Sequence, residues 1–121
     1  MKKLLWKPSE EYIKTTNIYS FINYVNGKLN LKINNYSSLY KWSVDFPDSF
    51  WDALWNYLDI KCSHPYYTPV DDISKFPGAK WFVGAKLNYA ENMLRFSSSS
   101  SPAIIFRGEN QIREELSHKM L

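Results

Sequence analysis

Between Asn35 and Asp59 the chain reads NYSSLYKWSVDFPDSFWDALWNYLD, and this stretch limits the fold more than any other. Phe50, Trp51, Leu54, Trp55 and Leu58 recur at helical spacing and make one dense apolar stripe, nearly all of it aromatic or leucine. Left in water such a ladder of rings drives aggregation, so it belongs to a core or an interface rather than to a ligand stack. Tyr36, Leu39, Tyr40 and Trp42 predict a shorter helix before it, ending near Val44. Asp45 is the expected cap of the second helix, with Pro47 in its first turn, where a missing N–H costs little. These two helices are the expected centre of a helical region.

Helical signals extend upstream. Pro8-Ser9-Glu10-Glu11 opens a helix with a capping serine and two acids where the helix dipole favours them. Ile18, Phe21, Ile22 and Val25 follow as one stripe, and Asn26-Gly27 is the expected stop, since both residues tolerate the left-handed conformation. Residues 28–35, KLNLKINN, alternate Leu29, Leu31 and Ile33 with polar residues and read equally as a short strand or an extended loop. Residues 61–79 hold three of the six prolines and no steady period, so they read as a loop packed against something larger.

Toward the C-terminus, Asn88 and Glu91 have the spacing of a capping box. Tyr89, Met93 and Phe96 give the ensuing helix a narrow apolar side, with Leu94 beside it. Gly84 just upstream permits a positive φ or a close backbone approach. The five serines Ser97–Ser101 break all pattern and read as a flexible connection. Beyond them Pro102–Phe106 is an apolar strand, Arg107–Asn110 a turn and Gln111–Glu115 a returning strand. Ser117 then caps a helix that begins at His118. A hairpin alone is marginal in water, so this part needs further structure to rest on.

Several function classes are disfavoured. A charge of +3, spread along the chain, lacks the clustered Lys and Arg of a nucleic-acid surface. No stretch approaches the roughly 18 apolar residues of a membrane span. The opening MKKLLWKPSEEY has too short an apolar run for a secretory signal, and the single Cys62 fits a reducing compartment, so the expected location is cytoplasmic. Cys62 and His64 lack the second pair of ligands a metal site needs, and His118 is too isolated to complete one. The serine run has neither the glycines nor the lysine of a phosphate-cradling loop. Aromatic residues make up 17% of the chain, an excess that points to a ring-filled core or an interface, with self-association through exposed rings as one outcome.

Leu5-Trp6-Lys7-Pro8-Ser9, Leu39-Tyr40-Lys41-Trp42-Ser43-Val44, Phe50-Trp51 and KWFVGAKLNYAEN from Lys80 to Asn92 occur in the order seen in the N-terminal region of acyl-CoA synthetases. Through nearly the whole chain the pattern resembles the acetoacetyl-CoA synthetase family. Acetyl- and propionyl-CoA synthetases share the layout but depart at Lys80–Asn92, where they lack the Tyr-Ala-Glu-Asn of residues 89–92. The resemblance implies a mainly α N-terminal segment with a C-terminal β-hairpin (α+β), the opening of an adenylate-forming enzyme fold. On that reading residues 1–96 are the helical N-terminal region, 97–101 a Ser-rich connection, and 102–121 the start of the large ATP-binding domain.

What the family does would then lie outside this chain. The parent would be an acid–thiol ligase using ATP, Mg and CoA, while none of the family's catalytic, cofactor-binding or metal-binding motifs has a match in these 121 residues. The chain alone is therefore expected to be inactive, with the rest of the synthetase or a full-length copy as partner and neither nucleic acid nor membrane. Trp81, Phe82 and Asn88 carry structural expectations only: they seat the helical region on the large domain, with the Trp81 ring buried between the two. The alternative is a free-standing interaction or regulatory module built from the same region.

Overall fold

The computed structural model describes residues 5–95 and 98–121, and their packing separates into two compact units. The first runs to Asp59 and takes in Tyr67–Val83; the second combines Ile60–Tyr66 with the residues from Gly84 onward. The expected helical region thus contributes α-structure to both units.

In the first unit, α1 (Glu10–Lys14) starts where Ser9 Oγ accepts the Tyr12 N–H. The helix does not continue into the apolar stripe. Thr16 turns the chain and caps a separate α2 (Asn17–Leu29), accepting the Tyr19 N–H. Nor does α2 stop at Asn26-Gly27. It runs on to Leu29 and ends at Asn30, whose φ of 53° supplies the left-handed residue. Asn26 instead bonds beyond the helix. Its Nδ2 donates to the Ile33 carbonyl at 2.8 Å and its Oδ1 accepts the Ile33 N–H at 2.9 Å. That clamp folds residues 30–35 back along α2 as an extended loop, and buries Ile33 without any strand pairing.

Asn35 then caps α3 (Tyr36–Asp45) in a full capping box with Ser38. Asp45 is the last residue of α3 and binds the Lys41 ammonium at 2.7 Å, so it does not cap α4 (Pro47–Tyr57). Phe46 occupies that position without a side-chain hydrogen bond, and Pro47 sits in the first turn as expected.

Phe21, Ile22, Val25, Ile33, Leu39 and Ala53 are the buried core, with Val25 fully enclosed. Tyr24, Leu31, Trp42, Phe50, Leu54 and Tyr57 pack around it. Phe21 meets Phe50 edge-on at 5.9 Å and Tyr57 at 5.1 Å, geometries that aromatic quadrupoles favour. The α4 stripe therefore divides. Phe50, Ala53, Leu54 and Tyr57 face the core, whereas Trp51 and Trp55 lie on an adjacent row, four residues apart, and look elsewhere.

The second unit holds α5 (Tyr89–Leu94), a hairpin of β3 (Pro102–Arg107) and β4 (Arg113–Ser117), and a short 3-10 turn at His118–Met120. Ile105 pairs with Glu115 and Phe106 with Glu114, and the Gly108 N–H closes the turn on the Ile112 carbonyl at 2.8 Å. Ile60–Tyr66 joins this unit through backbone bonds between His64 and Lys86 and through Asn92, which both donates to and accepts from the Lys61 backbone. Among its described residues none is buried, and Ile104, Ile105 and Phe106 are each about half exposed.

Candidate functional site

The region 61–79, read as a proline-rich loop, holds the first strand of a hairpin and the turn that leads to the second. β1 (Thr68–Val70) pairs antiparallel with β2 (Trp81–Val83), Thr68 opposite Val83 and Val70 opposite Trp81. Strands of three residues, one of them carrying Pro69, leave too little alternation for a period to be seen.

One side chain shapes the connection between them. Asp71 Oδ1 accepts the Lys80 N–H at 2.8 Å and the Asp72 N–H at 2.7 Å, while Oδ2 takes the Lys75 ammonium at 3.2 Å. These bonds hold the Asp71 carboxyl below the ordinary aspartate value, the Lys80 N–H contributing most, against a smaller opposing effect of desolvation. At the tip of the loop Phe76 is almost wholly exposed.

The hairpin delivers Trp81 and Phe82 to the outer row of α4. Trp81 meets Trp51 edge-on at 5.8 Å, and Phe82 lies 4.7 Å from Trp55 and 6.4 Å from Trp51. Phe82 adopts φ 48°, unusual for a bulky residue, and Gly84 follows at φ 86°. A strained backbone of this kind persists where packing over-determines it, and here the ring is held against two tryptophans. The expected ring ladder is thus covered in part from within the chain. Trp81 itself is 42% exposed within these residues.

Asn88 caps α5 as expected, its Oδ1 accepting the N–H groups of Ala90 at 2.9 Å and Glu91 at 3.3 Å. The box stays half-made: no bond returns from the Glu91 carboxylate to the Asn88 N–H. The side chain that reaches farther is Asn92, which ties α5 to Lys61 across 31 residues. Phe96 and Ser97 fall outside the described residues. The described serines are not a bare connection. Ser99 and Ser101 carbonyls accept the Lys119 and His118 N–H groups, and His118 Nδ1 lies 3.3 Å from Ser101 Oγ.

The chemistry available is small. Among the described residues no three His, Cys, Asp or Glu side chains gather as a metal site. A concavity of about 330 Å³ at the β3–β4 turn offers Arg107 and Arg113, but the Arg113 guanidinium is paired with Glu115 and the Gly108 N–H is bound to Ile112. A larger groove, about 530 Å³, runs along α1, the start of α2 and the Asn34–Tyr36 turn, lined by Ile13, Tyr19 and Ile22. Its lining is mainly apolar, with Glu10, Thr16, Asn34 and Asn35 among it, and carries no catalytic grouping.

Residues 36–93 match the family described as the acetyl-coenzyme A synthetase N-terminus. The acetoacetyl-CoA synthetase of Danio rerio is 37% identical over 110 residues, covering 88% of this chain and 16% of that protein. A solved structure, the acetoacetyl-CoA synthetase from Streptomyces lividans, superposes with a TM-score of 0.88 at 31% identity over 98% of this chain. The chain is similar in sequence and fold to the N-terminal region of acetoacetyl-CoA synthetases.

The likeness is not confined to that acyl group. The malonamoyl-CoA synthetase of Penicillium aethiopicum is 35% identical over 94 residues, 77% of this chain and 13% of that protein. The chain spans only about a sixth of the curated acetoacetyl-CoA synthetases it matches, and 19% of the Streptomyces lividans protein. The family span of 36–93 takes in α3, α4, both short strands and α5 as far as Met93, so Trp81, Phe82 and Asn88 all lie within it. Among the described residues no helix is long and apolar enough to cross a membrane.

Proposed function

We propose that this chain serves as the N-terminal segment of an acetoacetate–CoA ligase and that its work there is structural. In such an enzyme the acetoacetate carboxylate attacks ATP to give acetoacetyl-AMP and pyrophosphate, and the CoA thiol then displaces AMP. ATP, Mg and CoA would be held by the large adenylation domain, which is the partner we assign to this segment. The observation that carries the reading is the fold match across 98% of this chain to a synthetase of which it covers 19%. The half-exposed Ile104, Ile105 and Phe106, in a unit with no buried residue among those described, add to it, since such a hairpin gains stability only when covered.

Acetoacetate is the acid we assign; a malonamoyl group shares its carbonyl at C3, so the wider class is a short 3-oxo acid. Acetyl- and propionyl-type parents rank behind it because the Tyr89–Asn92 tetrad resembles the acetoacetyl pattern. A cytoplasmic location and a place in ketone-body use go with the same proposal, the lone Cys62 being in keeping with a reducing compartment.

ATP–pyrophosphate exchange tests it. The purified chain supplied with ATP, Mg and acetoacetate, acetate or propionate is expected to give no exchange above a protein-free blank, because no grouping among its described residues would stabilise a transferring adenylyl group. Replacing the corresponding segment of the Streptomyces lividans enzyme with this chain is expected to preserve acetoacetate-dependent exchange. Exchange by the isolated chain would overturn the structural role.

A further inference from the structure

We draw no further inference here: the strongest candidate, the apolar groove along α1, the start of α2 and the Asn34–Tyr36 turn, is an unpartnered face, and nothing in the structure shows what covers it.

Discussion

Replacing Asn26 and Gly27 one at a time separates two opposed roles for the same dipeptide. If Asn26-Gly27 ended α2, Gly27→Ala would force a β-carbon into a left-handed position and destabilise the chain. In the structure Gly27 lies inside the helix, and a β-carbon added there meets no atom within 4 Å. Gly27→Ala is therefore expected to stabilise by up to about 0.5–1 kcal/mol, the entropy a helical glycine loses on folding. Asn26→Ala acts in the other direction. It removes two hydrogen bonds of 2.8 and 2.9 Å and leaves the N–H and carbonyl of the buried Ile33 without side-chain partners. At about 1 kcal/mol net per bond, plus about 1–3 kcal/mol for a stranded polar group, the loss is roughly 3–5 kcal/mol. Alanine's better helix propensity offsets about 0.5 kcal/mol of that. Urea unfolding of the purified chain, followed by far-ultraviolet circular dichroism and tryptophan fluorescence, reads both changes. A destabilising Gly27→Ala together with a neutral Asn26→Ala would refute the clamp and restore the helix stop.

Three further outcomes are expected. Asp71 has its folded-state pKa depressed, so its stabilisation is present above the unfolded pKa and lost as pH falls through the folded value. Protection of the Lys80 amide, taken relative to intrinsic exchange at each pH, should accordingly fall in acid, and Asp71→Asn should flatten that dependence; protection that grows on acidification would contradict it. Asn88→Ala should weaken α5 by about 1 kcal/mol, whereas Glu91→Ala should cost clearly less because the reciprocal bond is not made. Amide chemical shifts of Ala90 to Leu94 distinguish the two, and equal losses would mean the box is closed in solution. Trp81→Ala should cost about 2 kcal/mol, below the roughly 3–5 kcal/mol of a fully buried ring because 42% of the residue is exposed. It should also alter the near-ultraviolet dichroism of Trp51, and an unchanged spectrum would deny the edge-on contact.

What the sequence determined by itself was local. Ser9 and Asn88 cap helices, Pro47 opens one, and the apolar strand from Pro102 returns as a hairpin, although its partner is Arg113–Ser117 rather than the expected Gln111–Glu115, because each of these signals is complete within a turn of helix or one hairpin. Tertiary structure decided wherever a side chain had a choice of partners. Asp45 reads as a cap, but the Lys41 ammonium one helical turn away takes it. Asn26 reads as a stop until Ile33, seven residues on, occupies its amide. The α4 stripe reads as one face, yet Trp51 and Trp55 find Trp81 and Phe82 instead of the core, through a hairpin too short to show a period. Even the stretch from Lys80 to Asn92, legible as one motif, is divided at Gly84 between two compact units. The physical reason is the same throughout. A cap or a turn is satisfied by neighbours in the chain, whereas a ring or a buried amide is satisfied by whichever distant group the fold brings to it.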